Sequence, residues 1–515
     1  MIIDFLKKRK LLLLVLIFSL VGLLLRLLFI WEHSTAFTYD QGRDMLDLRE
    51  MWLLKKPRLI GANTSLHGVF YGPFWYWLSF PFFLLTGGHP LSTLILLLVF
   101  SFLMPFLFFL LVENKHLGFV LSLIYLFSFS FFSHSIVALN TNPIIFLTPL
   151  FLLLAAKFYK KEKMIFLSLL SFLVASSFHF EPIIGLFWIL TIAVSWFIFG
   201  KVSLVWKNKQ ALVFFLIPFL PQAIFEFRHN FLQTKALWRL LSGGGSSLTP
   251  GGGGLVFRFF DRIRIFKEAW LSQSGNNLIM AGLILALILL LISKFMKKKN
   301  IKKEEDYFIL LCLISLTVVF FGFVIYSYAL WPWYLSTVDA LILTLIGLGI
   351  YFLGSWGKKY IFLSMAILAI FLFFSFRRYF SWPIQKYYSS DPANLRTRIQ
   401  VADLIYDDAK GGGINIFTFA PYVYDYPYQY LIWWRAKTKY QYLPEEYVYL
   451  LNQPKYVAAK DEADQIIPGK KSECDYLIIE PFESQEKWFW EWRGHFPKSQ
   501  KTWTVGLTRV EKLCQ

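Results

Sequence analysis

The sequence predicts a mostly α-helical, polytopic membrane protein: a bundle of about eleven spans with juxtamembrane helices and a small C-terminal α/β domain outside the membrane. Three observations carry this. Of 515 residues, 57% are hydrophobic, 20% aromatic and only 17% charged, against about 25% charged in an average soluble chain. The 56 Phe and 19 Trp exceed what one soluble core holds, because single cores stop growing near ~250–300 residues. Apolar runs long enough for a hydrocarbon layer about 30 Å thick recur along the chain, and mean hydropathy is +0.52. Collagen-like, disordered and coiled-coil classes are excluded. Three cysteines exclude a disulfide scaffold and leave no zinc-finger spacing.

The predicted spans are 11–30, 91–112, 117–134, 142–157, 164–179, 182–199, 211–226, 278–296, 307–328, 334–354 and 358–376. No small-residue cleavage site follows Ile30 and Trp31, so the first is kept as an anchor. The stretch 73–86 is too short to span, is broken by Pro81 and is rich in Trp and Tyr. It is assigned to the membrane interface. Lys7, Lys8, Arg9 and Lys10 place the N-terminus inside. With 73–86 interfacial, the lysine clusters in 113–116, 157–163, 201–209, 294–303 and 358–359 also fall inside, as the positive-inside rule demands. The C-terminus is then outside. The formal net charge of +19 therefore reads as topology rather than nucleic-acid binding.

Three segments face the outer side: 31–90, 227–277 and a tail from about 380 to 515. The second holds a glycine-rich run, 242–254, between two basic patches. In the tail, strand-like runs at 414–419, 476–479 and 502–508 alternate with charged, turn-rich sequence. The division is a membrane module, 1–379, and an outer α/β domain, 380–515. Cys474 and Cys514 both lie in that domain and form a candidate pair. No internal repeat of the inverted-transporter kind is visible.

Polar residues gather at the outer ends of spans. In Tyr39-Asp40-Gln41-Gly42-Arg43-Asp44, helical spacing puts Asp40, Arg43, Asp44 and Asp47 on one face. Met45, Leu48 and Trp52 form an opposing apolar stripe, expected to rest on the membrane. Asn140 and Asn142 follow the third span, His179 and Glu181 lie between the fifth and sixth, and Glu226, Arg228 and His229 follow the seventh. Each is a common structural pattern alone, at a helix start or tight turn. Ionisable groups at span edges are costly unless paired or facing a wet cavity, and their convergence on one face points to a site. There is no GxxxxGK[ST], no HExxH and no Asp-x-Asp, so ATP-driven, zinc-protease and nucleotide-sugar chemistries are disfavoured.

With these motifs in place, the chain resembles the GT-C superfamily of integral-membrane glycosyltransferases, in the branch of protein O-mannosyltransferases, aminoarabinose transferases and Rgt-type enzymes. The resemblance rests on Tyr39 to Arg43 after the first span and on Gly72-Pro73-Phe74-Trp75-Tyr76. Asn140-Thr141-Asn142-Pro143, Phe178-His179-Phe180 and Phe225-Glu226-Phe227-Arg228-His229 add to it. It covers roughly residues 1–380. It implies transfer of a sugar from a polyprenyl-phosphate carrier to an acceptor hydroxyl of a glycan, lipid or protein, on the extracytoplasmic face of the plasma membrane. It further implies Asp40 as base, Arg43 on the phosphate side, and Tyr39, Asp44, His67, Tyr71, Asn140, Asn142, His179, Glu181, Glu226, Arg228 and His229 as substrate- or lipid-phosphate-binding candidates. No metal ligand set and no cofactor is expected, and no nucleic acid.

Two departures from relatives bear on the site. Gln41 stands where Glu is common, and Tyr71, with His67 the nearest cation, stands where aminoarabinose transferases carry Lys. Contacts to the donor phosphate, or equally to anionic lipid headgroups, are therefore expected instead from Arg228, Lys235, Arg239, Arg258, Arg262, Arg264 and Lys267. A lipid-linked-saccharide transporter or flippase is the first alternative. It requires ionisable residues at mid-membrane depth, and of these Arg26 is the exception here. A non-catalytic scaffold with a wall-binding tail is the second. The aromatic runs Tyr422-Val423-Tyr424-Asp425-Tyr426 and Trp433-Trp434 are expected to form a domain core or a membrane rest rather than a sugar-stacking surface.

Overall fold

The computed structural model describes residues 2–31, 34–200, 209–242, 253–296, 301–386, 391–420, 424–450, 456–482 and 485–514. Residues 243–252 of the glycine-rich run, 201–208 and 297–300 of two lysine clusters, and Tyr422 and Val423 lie outside them. All eleven predicted segments contain helix, but they are not equivalent. Eight helices among the described residues are long and apolar enough to cross a membrane: Arg9–Phe29, Ser92–Leu111, Pro143–Lys161, Pro182–Phe199, Lys209–Arg228, Glu304–Ile325, Pro332–Gly354 and Lys358–Ser381. Two bent pairs, Lys115–Phe127 with Phe129–Ile136 (57°) and Leu255–Gln273 with Leu278–Lys294 (104°), raise the number to ten if each is one span. By length and composition the eleven predicted spans correspond to ten candidates, because Met164–Ser177 is only 14 residues long, and to eight if neither bent pair, over 117–134 and 278–294, is a span.

The 57° break falls at Ser128, whose backbone is extended (φ −73°, ψ 144°). A break inside an apolar bundle frees carbonyls that no water can satisfy. Arg26 answers this from the first span. Its Nη2 donates to the Leu126 carbonyl (3.2 Å), its Nε to Ser135 Oγ (2.6 Å) and its Nη1 to the Gly22 carbonyl (2.9 Å). The Tyr379 hydroxyl donates to Leu126 and Ser128 carbonyls (3.4 and 3.5 Å). The buried charge also faces the negative end of the Lys115–Phe127 helix. Gly22 permits the approach, since a Cβ there would meet Leu126 Cδ1 at 2.5 Å. Arg26 therefore caps the broken helix end.

Two short helices lie in the segment 31–90, α1 (Tyr39–Leu54) and α2 (Phe74–Leu85). At 12 residues, α2 is too short to span, as predicted. The tail forms a five-stranded sheet of β1 (Ile414–Phe419), β2 (Tyr447–Val448), β3 (Cys474–Ile479), β4 (Lys501–Val505) and β5 (Thr508–Cys514), in the order β2-β1-β3-β5-β4. β1 pairs parallel with β2 and β3, and β5 pairs antiparallel with β3 and β4. The predicted run 502–508 is thus β4 and a turn into β5, with Gly506 at φ +59°. Cys474 and Cys514 face each other across β3 and β5 and are disulfide-bonded.

The apolar stripe of α1 does not rest on the membrane. Met45 and Leu48 are fully buried, and the tail helix Tyr426–Arg435 packs on α1, with Trp433 6.3 Å from Trp52. Gly42 makes room for it, because a Cβ there would lie 2.4 Å from Pro427 N. Arg398 secures the seat by donating to the Phe37 carbonyl and pairing with Glu480 (2.8 Å). The Phe37 and Leu395 amides donate to Ala393 and Thr35 carbonyls (2.8 and 2.9 Å). Trp433 belongs to this core, as its apolar character predicts.

Replacing Arg26 removes three buried hydrogen bonds from a charged donor, each contributing about 1.5–3 kcal/mol. Arg26→Leu is expected to lower the thermal midpoint of the purified protein by several degrees, with Arg26→Lys intermediate. Differential scanning fluorimetry in detergent checks the order.

Candidate active site

α1 starts where its sequence says a helix should. The Thr38 amide and hydroxyl donate to Gln41 Oε1 (2.7 and 2.6 Å), the reciprocal pattern of a capping residue and its third helical neighbour. Gln41 Nε2 then donates to the Ala138 carbonyl (2.7 Å). A glutamate accepts but, when ionised, cannot donate, so glutamine here ties the helix start to the 137–142 turn.

The charged face of α1 forms one network. Arg43 pairs with Asp40 and with Asp44, each at 2.8 Å. Asp44 also accepts from Trp75 Nε1 (2.7 Å) and the Tyr76 hydroxyl (3.1 Å) at the start of α2. The Tyr76 hydroxyl donates to Asp47 (2.5 Å), and Arg58 reaches Asp47 and Glu50 (2.6 and 2.8 Å). Asp44 is 1% exposed and Asp40 43%. One carboxylate of the face is therefore fixed inside and one is open.

Tyr71 brings the loop between α1 and α2 to the same place. Its hydroxyl approaches Glu181 at 3.5 Å and lies within electrostatic reach of Tyr334, Arg43 and Asp40. The loop before it is held by Gly61 and Tyr71 amides, donating to Tyr71 and Ala62 carbonyls (2.7 and 2.9 Å). His179 is buried and stacks on Phe74 (3.8 Å) beneath Gly72, where a Cβ would strike its ring at 2.0 Å. Tyr39, Asp40, Arg43, Asp44, Tyr71 and Glu181 are thus assembled, with His179 packed behind them.

Other predicted residues hold turns. Asn142 Nδ2 donates to Val137 and His134 carbonyls (2.6 and 3.1 Å), and Asn140 is buried beside it. Glu226 accepts from the Gln233 and Thr234 amides (3.0 and 2.9 Å) and starts the helix Leu232–Leu241. Arg228 and His229 are exposed, with His229 stacked on Phe225 (4.0 Å), and His67 is exposed in the loop before Tyr71. Gln233 accepts from the Phe70 amide (3.0 Å), so this arm touches the site loop. Of the basic residues beyond it, Arg262 donates to Phe323 and Tyr328 carbonyls (3.2 and 3.0 Å), and Arg264 pairs with Asp261 and Glu268 (2.7 and 2.8 Å).

Sequence reasoning missed Arg58, Glu50, Trp75 and Tyr76 as network members. The continued i, i+3, i+4 run from Asp40 to Glu50 was the available signal. It also missed a cavity of about 640 Å³ on the other side of the 137–142 turn, lined by His134, Asn142, Arg264, Glu268, Trp333 and Asp339 among others. Among the described residues, no three His, Cys, Asp or Glu side chains are grouped to hold a metal ion.

No protein-family model and no curated protein sequence matches the chain. Solved structures do. ArnT from Cupriavidus metallidurans bound to undecaprenyl phosphate superposes with a TM-score of 0.63 over 96% of this chain and 97% of ArnT, at 11% identity. The chain has the fold of ArnT. The apo state of the same ArnT gives a TM-score of 0.61 at 10% identity, with the same coverage of both chains. The match runs over nearly the full length, so the shared fold includes the tail.

Within this fold, burial sets the protonation of the site's inner carboxyls. Burial raises Asp44 to about 6 against the opposing pull of Arg43. Burial works against the Arg43 charge, but Asp44, Tyr76 and Asp40 outweigh it and hold its pKa well above the ordinary value. Burial raises Glu181 to about 8 from 4.5, with Tyr71 pulling it back only partly. Between those values the folded protein holds a proton on Glu181 that the unfolded chain has released. Its contribution to stability therefore falls as pH rises through this window. Thermal melts from about pH 5 to 8 are expected to show a declining midpoint that Glu181→Gln makes markedly flatter.

Proposed function

We propose that this chain is a membrane glycosyltransferase that moves a sugar from a polyprenyl-phosphate donor to an acceptor hydroxyl, with inversion, Asp40 acting as general base. The observation that carries this reading is the division of labour on α1. Asp44 is sealed by Arg43, Trp75 and Tyr76, while Asp40, on the same face, is open and touches the same arginine. A fold shared with an ArnT bound to undecaprenyl phosphate supports the donor class.

In this scheme the Asp40 carboxylate accepts the proton of the acceptor hydroxyl as its oxygen bonds to C1 of the sugar. The bond from C1 to the phosphate oxygen breaks, and the lipid phosphate leaves with that electron pair. Charge grows on the phosphate as it shrinks on Asp40. A cation that follows the charge stabilises the transition state more than the ground state. Arg43, relieved of its attraction to Asp40 once that group is protonated, is the nearest candidate. The catalysis needs no metal or cofactor in this reading. The inner lysine clusters support an extracytoplasmic site in the plasma membrane, with the tail on the same side.

Asp40→Asn keeps the shape and removes the base. Transfer from a polyprenyl-phosphate sugar in reconstituted membranes is expected to fall by about 10²–10⁴-fold, with expression and membrane insertion intact. Near-wild-type turnover in that variant excludes Asp40 as the base.

A further inference from the structure

Four tyrosines from three parts of the chain meet beside Asp40. Tyr39 opens α1, Tyr424 and Tyr426 precede the helix that seats the tail, and Tyr456 comes from the segment after β2. Tyr424 and Tyr426 stack in parallel, 5.1 Å apart with 6° between ring planes. Tyr39 lies 5.1 Å from Tyr426, and Tyr456 5.5 Å from Tyr424. Tyr456 is locked from behind: its hydroxyl donates to the buried Asp425, which also accepts from Gln429 (2.9 Å). Ring positions fixed by a satisfied buried network are pre-organised rather than adaptable.

Packing between domains would bury such rings, yet Tyr424 is 39% exposed while stacked. The cluster also borders polar space. A cavity of about 100 Å³, lined by Arg43, Asp47, Glu50, Arg58, Tyr426 and Tyr456, opens between it and the charged face of α1. That is room for roughly three water molecules. The Arg43 guanidinium lies 5.8 Å above the Tyr39 ring. Rigid aromatic faces next to paired carboxylates and guanidinia present both kinds of surface that a pyranose presents: an apolar face of C–H groups for the negative ring faces, and an edge of hydroxyls for charged donors and acceptors.

We infer that the Tyr39, Tyr424, Tyr426 and Tyr456 cluster, with Arg43, Asp47, Glu50 and Arg58, is an acceptor subsite for a saccharide, so that the acceptor hydroxyl presented to Asp40 belongs to a sugar rather than to a peptide side chain. The naming of the acceptor rests on the glycosyltransferase reading above; the binding of saccharide does not. The tail thereby becomes part of the substrate site. This departs from the expectation that its aromatic run only packs or rests on the bilayer.

The test is saturation-transfer difference NMR on the full chain in nanodiscs, without donor. The probes are methyl glycosides of glucose, galactose, mannose and N-acetylglucosamine, and a short Ser/Thr-containing peptide. The expected result is transfer to the ring C–H protons of at least one glycoside and none to the peptide. Affinity should be about ten-fold weaker in Tyr424→Ala and retained in Tyr424→Phe, which keeps the ring and controls for folding. Absence of glycoside signal in the wild type, equal signal in Tyr424→Ala, or signal from the peptide alone overturns the subsite. The Asp40→Asn transfer assay separates the two readings. Glycoside binding with undiminished Asp40→Asn turnover leaves the subsite and sinks the base. Lost turnover without glycoside binding does the reverse.

Discussion

Everything around α1 is organised around one carboxylate taken out of water. Asp44 is buried among Arg43, Trp75 and Tyr76, and an unpaired charge in such a place costs several kcal/mol. The three donors must therefore all be present, and each fixes something different. Trp75 and Tyr76 fix α2 against α1. Arg43 is fixed in turn and is thereby aimed at Asp40 one helical step away. On the opposite side of α1, Gly42 admits the backbone of Pro427. The helix that bears the open carboxylate is thus clamped between α2 and the tail, and Asp40 is the most exposed carboxylate of its charged face.

Much of this was legible in the residues. Asp40, Arg43, Asp44 and Asp47 share a face by helical spacing alone. The Trp- and Tyr-rich stretch 73–86 announced an interfacial helix by its length and Pro81. What the sequence did not contain was the partner of each face. Met45 and Leu48 are apolar whichever apolar surface they meet, so the stripe was assigned to lipid when it meets the tail helix. Arg26 was visible as a charge within a span, but its meaning depends on a helix break at Ser128 a hundred residues away. Gln41 looked like a lost acid, and is a donor to Ala138 instead. The tyrosine cluster was read for its apolarity; its place beside Asp40 is set by tertiary contacts between segments far apart in sequence.

Identity of 11% with an ArnT that superposes over 96% of the chain shows how little of the shared architecture depends on particular side chains. Apolar helices of suitable length, interfacial helices and a seated tail suffice for the frame. The proposed chemistry then depends on few positions, on α1 and the loops that reach it. The tail is joined to that frame by Arg398, by backbone hydrogen bonds at 35–37 and by the Trp52 and Trp433 contact. It is a wall of the site rather than an appendage.

The proposed mechanism, with Asp40 as base and Asp44 sealed away, makes a single displacement at C1 with no carboxylate nucleophile. The anomeric configuration of the product, read by NMR against that of the polyprenyl-phosphate donor, is the most direct measurement of this. Inversion at C1 is the predicted result. Retention would require a covalent or internal-return route and would contradict the role given to Asp40.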